Sequence, residues 1–202
     1  MRDVTAIILA AGMSRRMGGR NKLLLPVGGI PMIRHMVHTY SAVVTGPVLV
    51  ITGHDAQKVE KALEGSPAKT VFNPDYAQGQ PTSVACGLRA AGQATTILVG
   101  LGDQPLLTSD DLRALLAAHA SADTSRISIP VTDQQRGNPL VIPATLCPRL
   151  MADPKSPGCK TFTRANPDHV QFHRLDAPGF YADVDTPEAY DALTQSNMAD
   201  IQ

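Results

Sequence analysis

VTAIILAAGMSRRMGGRNKLLL, residues 4 to 25, opens with an apolar run from Val4 to Leu9. Its length and β-branched content are those of a buried strand. The strand breaks into a loop carrying Gly12, Ser14, Gly18 and Gly19, with Arg15, Arg16, Arg20 and Lys22 threaded between them. Glycines let backbone N–H groups turn inward without steric cost, and inward N–H groups form a nest for an anion. The cations add charge where phosphate oxygens would sit. A loop after the first strand is also where open α/β sheets bind ligands. The stretch therefore reads as a triphosphate cradle at the carboxyl end of a strand. An ordinary βα turn with solvated arginines is the plainer alternative. Neither G-x-G-x-x-G nor G-x-x-x-x-G-K-[ST] is present.

Bulk composition narrows the classes. At 202 residues the chain has the size of one larger domain. Its 18 Lys and Arg balance 18 Asp and Glu, so neither nucleic-acid nor anionic-membrane binding is expected, since either asks for a basic excess. Cys86, Cys147 and Cys159 are far apart and form no C-x-x-C pair, which argues against a disulfide framework or thiolate zinc. Met1-Arg2-Asp3 leads straight into a strand, unlike a signal peptide. No apolar run approaches the ~18 residues of a membrane helix. A cytoplasmic location is the expectation.

Further along, Gly28-Gly29 makes a turn and Ile30 to Tyr40 reads as a helix, with Ile33, Met36, Val37 and Tyr40 on one face. Pro47 to Thr52 is a second strand, followed by a helix with Val59 and Leu63 inward, and Thr70 to Phe72 is a third strand. The run from Asn73 through Gly79 to Ser83 is a loop, with Thr82 or Ser83 capping the helix after it. Thr95 to Leu101, the most apolar strand, is expected at the centre of the sheet. It ends at Gly102-Asp103-Gln104-Pro105. Thr108 to Asp111 supplies a capping box for the next helix. That leaves Asp103 free to hold Mg²⁺, a cation that takes one or two carboxylates and fills its other positions with water and phosphate.

Arg126 to Val131 is a fifth strand. Gly137-Asn138-Pro139 then turns into the apolar run Leu140 to Ile142, and Thr145 to Leu150 is a short helix. Residues 153 to 160 are read as irregular. In His169 to Leu175, Val170 and Phe172 point one way, while His169, Gln171 and His173 form a solvated or ligand-facing side. Thr186 caps a last helix with Pro187 at its first position and Glu188 near its positive end, and the tail from Thr194 is read as frayed. Strands alternating with helices give an α/β three-layer domain with a mostly parallel sheet.

The string Leu9-Ala10-Ala11-Gly12-Met13-Ser14-Arg15-Arg16-Met17-Gly18, with Lys22 before Leu23-Leu24-Leu25-Pro26, resembles the signature of the MobA-like nucleotidyltransferases, and most of all the molybdenum cofactor cytidylyltransferases. Three residues separate Gly18 from Lys22, one more than the usual family spacing. Asn73-Pro74 and Gly79-x-x-Thr82-Ser83 resemble the element that folds over base and ribose, with Pro81 as a departure. Asp103 matches the family's metal aspartate, and Gly137 to Pro139 its acceptor-side turn. Asp183-x-Asp185-Thr186-Pro187 resembles an element whose acid approaches the same metal. A G-D-x-G-A-R segment, common in the cytidylyltransferases, is reduced here to Gly158 and Lys160.

The resemblance implies a Rossmann-like nucleotidyltransferase domain over residues 1–202. Its nucleotide-binding half covers about 1–105 and its acceptor-binding half about 106–193. It further implies an Mg²⁺-dependent transfer of CMP from CTP to the terminal phosphate of a molybdopterin-type cofactor, with pyrophosphate released and a molybdoenzyme as client. Arg16, Lys22 and Asp103 carry the chemistry, and Asp103 with Asp185 holds the metal. Leu9, Ala10, Ala11, Gly12, Ser14, Gly18, Asn73, Gly79, Thr82 and Ser83 contact the nucleotide, and Gly137, Asn138 and Pro139 the acceptor. Guanylyltransferases of this group tend to have L-A-G-G where this chain has Leu9-Ala10-Ala11-Gly12, which favours a pyrimidine. Two alternatives stand beside this reading: a GTP-dependent enzyme or one for another small phosphorylated acceptor, and a non-catalytic carrier of the molybdenum cofactor.

Overall fold

In the computed structural model, which describes residues 3–152 and 159–199, the opening apolar run forms β1 (Val4–Ala10). The glycine loop after it contains two 3-10 turns, Arg15–Met17 and Lys22–Leu24. β2 (Pro26–Val27) and β3 (Ile30–Pro31) make a small antiparallel hairpin across Gly28 and Gly29, both at positive φ. α1 (Met32–Ser41) thus begins two residues after the expected Ile30, because that residue is paired with Val27. β4 (Val48–Thr52), α2 (Ala56–Ala62), β5 (Lys69–Phe72), α3 (Gln80–Ala90) and β6 (Thr96–Leu101) alternate as the pattern requires.

α3 starts earlier than expected. Gly79 is its N-cap and Pro81 lies in its first turn, so Thr82 and Ser83 are helical and do not cap. A proline in a first turn removes only an N–H that has no intrahelical partner anyway. The second half of the chain supplies α4 (Ser109–Ala120), β7 (Ile127–Val131), β8 (Leu140–Pro143), α5 (Cys147–Leu150), α6 (Cys159–Ala165), β9 (Val170–Arg174) and α7 (Pro187–Ala199). The capping box of α4 closes both ways: Asp111 N–H donates to Thr108 Oγ1 at 3.2 Å, and Thr108 N–H donates to Asp111 Oδ2 at 2.9 Å. Cys159 and Lys160, expected in irregular chain, are helical; residues 153–158, including Gly158, lie outside the described residues. The last helix runs on through Thr194 to Ala199 rather than fraying there.

The seven larger strands form one sheet in the order β5-β4-β1-β6-β8-β7-β9, with β6 at its centre and β8 alone running antiparallel to its neighbours. Side chains alternate between the faces. Ala6 and Ile8 of β1, Val50 of β4 and Leu98 of β6 pack under α1 and α4 with Ile33, Met36, Leu112 and Leu115. Ile7, Leu49 and Ile97 face the other way, against Val84 and Leu88 of α3 and Leu146 and Leu150 near α5. This is the three-layer α/β arrangement with a mostly parallel sheet. A smaller cluster of Val27, Met32, Val184 and Leu193 fastens α7 to the hairpin.

The histidine-bearing side of β9 turns inward. Gln171 Nε2 and His173 Nε2 each lie 2.9 Å from the hydroxyl of buried Ser128, as does His119 Nδ1 of α4. Ser128 gathers these polar side chains under α4, which leaves Phe172 and Arg174 as the exposed residues of the strand.

Close packing beneath the centre of the sheet makes one glycine indispensable. A Cβ built on Gly100 would sit 1.8 Å from the hydroxyl of fully buried Tyr40. Gly100→Ala must therefore displace the tyrosine, and overpacking of this kind costs about 1–3 kcal/mol. The expected drop in thermal midpoint is roughly 3–10 °C for a domain of this size, read by circular dichroism. Adding Tyr40→Phe, which removes the clashing oxygen, should recover part of it; an unshifted midpoint in Gly100→Ala would contradict the packing.

Candidate active site

β1 and β6 are parallel neighbours with Leu9 opposite Leu101, so the loops that follow them leave the same edge of the sheet side by side. The chain leaves β1 toward β4 on one side and returns to β6 on the other, the topological switch point where open α/β sheets bind ligands. The first loop is shaped by left-handed residues. Gly18 and Gly19 adopt positive φ, and so does Ser14, at φ 47° and ψ 37°. A non-glycine residue there carries backbone strain, which clusters at ligand clamps. Ser14 Oγ in turn accepts the Lys22 N–H at 3.3 Å, closing the loop on itself. Among the described residues, the N–H groups of Gly12, Met13 and Ser14 donate to no backbone carbonyl.

Lys22 stands at the centre of the site. Its Nζ contacts Asp103 Oδ2 and lies 2.5 Å from Asp185 Oδ1. Arg16 Nη2 reaches the other Asp185 oxygen at 2.5 Å. Asp185 is brought here by a backbone bond from Val184 N–H to the carbonyl of Asp103, 2.8 Å long. Burial opposes the charge on Lys22, but the two carboxylates overcome it and its pKa is raised. Burial pushes the Asp103 carboxyl upward against the pull of Lys22, with Asp183 and Asp185 adding repulsion. For Asp185 burial acts upward too, yet Lys22 and Arg16 outweigh it and the pKa falls. The second oxygen of Asp103, Oδ1, is buried with no hydrogen-bond partner.

A cavity of about 420 Å³ lies over this cluster. Leu9, Ala10, Ala11, Gly12 and Ser14 line one side, and Arg16, Lys22, Asp103 and Asp185 the end where charge collects. Gly79 and Ser83 line the opposite wall. Gly18 does not reach it, acting as the left-handed cap of the first 3-10 turn. Asn73 and Thr82 are also turned away. Asn73 is buried and donates to Thr82 Oγ1 at 2.9 Å and Ser83 Oγ at 3.0 Å, while Thr82 Oγ1 lies within hydrogen-bonding reach of the carbonyls of Asp75 and Gly79. Asn73 thus holds Ser83 in place rather than facing the cavity. Sequence reasoning missed Tyr76 and Gln80, both in the lining. Their position between Asn73-Pro74 and Thr82-Ser83 was the available signal. The Tyr76 ring lies among those of His54 and Phe72, with centroids 6.4 and 6.5 Å away.

A second cavity, of about 1140 Å³, adjoins the first and shares Leu9, Gln80 and Leu101 with it. Gly137 and Asn138 line it, whereas Pro139 lies outside its lining, close to the sheet at Gly100. The carbonyl of Phe180 accepts Asn138 N–H at 2.8 Å and the buried Gln104 amide at 3.2 Å, tying this turn to the Asp103 loop.

A model of the MobA-like NTP transferase domain matches residues 6–170. The chain belongs to the MobA-like NTP transferase family. Among relatives, it is 31% identical over 190 residues to the nicotine blue oxidoreductase of Paenarthrobacter nicotinovorans, across 92% of this chain and 93% of that one. It is 33% identical over 140 residues to the bifunctional protein GlmU of Mycobacterium sp. (strain KMS), across 65% of this chain but only 28% of that longer protein. Of solved structures, a nucleotidyl transferase from Methanothermobacter thermautotroptrophicus is similar with a TM-score of 0.82 and 27% identity, across 98% of this chain and 100% of that one. Family and fold are those of an NTP-transferase class of enzyme. No helix among the described residues is long and apolar enough to cross a membrane.

Proposed function

We propose that the protein transfers a nucleotidyl group from a nucleoside triphosphate to the phosphate of a small acceptor. The observation that carries this reading is Lys22 held between Asp103 and Asp185 at the open end of the glycine loop, in the first cavity, with the second cavity adjoining across Leu9, Gln80 and Leu101. Backbone N–H groups of Gly12, Met13 and Ser14, with Arg16, hold the β- and γ-phosphates. The acceptor phosphate, seated in the second cavity beside Gly137 and Asn138, attacks the α-phosphorus in line. A new P–O bond forms as the bond to the α–β bridging oxygen breaks, and its electron pair departs with pyrophosphate. The attacking oxygen is already anionic near neutral pH, so no general base is required; positioning and charge neutralisation do the work. Lys22 neutralises charge developing on the α-phosphate.

The residues fit Mg²⁺. Asp103 presents a buried oxygen with no hydrogen-bond partner, and Asp185 stands beside it. Mg²⁺ takes one or two carboxylates and leaves its other positions to water and phosphate; no larger cluster of His, Cys, Asp or Glu side chains suited to a metal occurs among the described residues. Bound there, it would offset negative charge on the α-phosphate and the departing pyrophosphate.

CTP is the proposed donor. Ala11, which lines the nucleotide cavity, stands where guanylyltransferases of this group tend to have glycine, and this favours a pyrimidine. A molybdopterin-type cofactor is the proposed acceptor, with a molybdoenzyme as its client. Supplying each of the four nucleoside triphosphates with Mg²⁺ and molybdopterin cofactor, and measuring pyrophosphate, should give the fastest release with CTP. Faster release with GTP, or release only with another small phosphate, would select the alternative partners. Nucleotide binding without release over a broad acceptor panel would indicate a carrier.

One comparison favours a second reading. The relative named an oxidoreductase matches nearly end to end, and the same loop could cradle the diphosphate of a nicotinamide dinucleotide. Hydride transfer has no need of the Lys22, Asp103 and Asp185 cluster, so the first reading accounts for more of the site. NAD(P)H oxidation by the purified chain in the presence of an aromatic acceptor, with no pyrophosphate formed from any triphosphate, would reverse that preference.

A further inference from the structure

The floor of the second cavity is unlike its rim. Leu9 and Leu101 lie opposite one another, Val99 is opposite Leu140, and Ile129 is opposite Phe172. These side chains therefore extend along one face of the sheet from β1 to β9. α3 walls that face on one side through Pro81 and Val84, and α6 on the other through Lys160, Thr163 and Arg164. Between the walls Val99 and Ile129 are buried, whereas the rest of the row is only partly covered by the described residues. Leu9, Leu101, Val131 and Leu140 are only half-buried, and Phe172 is 49% exposed. At about 4.8 Å per strand spacing, the floor from β6 to β9 is roughly 14 Å wide.

At the far edge the Arg136 guanidinium lies over the Phe172 ring, 4.7 Å from its centroid. Asp133, the one acid in the lining, is bonded to Arg174 by contacts of 2.8 and 3.0 Å. Arg136, Lys160 and Arg164 have no carboxylate partner among the described residues, and all of them line the cavity.

An apolar floor beneath unneutralised cations selects a particular kind of molecule. A sugar phosphate would lay hydroxyl groups on leucine and valine side chains that offer them no hydrogen bond. A flat ring system would lose no such bonds, and it would stack on the phenylalanine and guanidinium planes. We infer that the second cavity takes an acceptor whose body is a planar, largely apolar ring system laid on the sheet, with the Arg136–Phe172 pair selecting it at the outer edge and an anionic substituent near Lys160 and Arg164. The inference rests on the assignment of this cavity to the acceptor.

Riboflavin 5′-phosphate serves as the ring-bearing probe and glucose 1-phosphate as the sugar probe, each titrated calorimetrically into the full chain with a non-hydrolysable CTP analogue and Mg²⁺ present. The flavin phosphate should bind at least about tenfold more tightly than the sugar phosphate, in line with the worth of one aromatic stack. Phe172→Ala and Arg136→Gln should each weaken the flavin phosphate about five- to tenfold. Both side chains are exposed and outside the nucleotide cavity, so affinity for the CTP analogue should hold. Equal binding of the two probes, variants that retain wild-type flavin affinity, or displacement of the flavin by the CTP analogue would each overturn the inference. Should the flavin result hold while no triphosphate binds, the ring-binding assignment survives and the nucleotidyl-transfer reading falls.

Discussion

Asp103→Asn should lower pyrophosphate release by about a thousandfold or more, equivalent to roughly 4 kcal/mol of transition-state stabilisation, while the thermal midpoint moves by no more than a few degrees. The asparagine keeps the size of the side chain and leaves the carbonyl that accepts Val184 N–H untouched. Lys22 retains Asp185 as a partner, so no cation is left buried alone. Burial already disfavours the charge on Asp103, and a neutral residue of the same shape relieves that cost. What disappears is the negative charge at the mouth of the glycine loop. A variant that turns over at the wild-type rate with Mg²⁺ would show that Asp103 neither holds a cation nor organises Lys22.

Lys22→Ala separates two roles that geometry alone leaves joined. If the ammonium acts on charge that grows at the α-phosphate, kcat should fall about 10²–10³-fold, with the KM for the triphosphate changing by less than about threefold. A rise in KM at constant kcat would make Lys22 a uniform binder of ground state and transition state alike. The apo protein should also melt earlier, because Asp103 and Asp185 then face each other without the cation they share. Nucleotide titration with the metal present tests whether that loss is confined to the empty site.

The parts of this site that can be read from sequence are those with a local signature. The strand-to-glycine-loop passage at Val4 to Gly18 carries its own periodicity and its own turn residues, and the capping box at Thr108 frees Asp103 from a structural duty. That Lys22 meets Asp103 follows from β1 and β6 being parallel neighbours, a pairing across some ninety residues that no local pattern encodes. Asp185 is more remote still, placed by a single backbone bond to Asp103. Asn73 and Thr82 illustrate the opposite difficulty. Their side chains suit a nucleotide contact or a mutual hydrogen bond equally well, and only the direction each one takes from the backbone separates these uses. The antiparallel course of β8 was likewise hidden, since an apolar run of four residues reads the same in either direction. The prolines and glycine before Cys159 make it read as irregular chain, whereas the helix begins directly after them.

The bond from Val184 to Asp103 makes the acid beside it answerable to the last helix. Val184 is buried with Val27, Met32 and Leu193, so the anchoring of α7 on the hairpin fixes the backbone from which Asp185 reaches Lys22 and Arg16. Any loosening of that helix is thereby felt as a change of charge at the glycine loop.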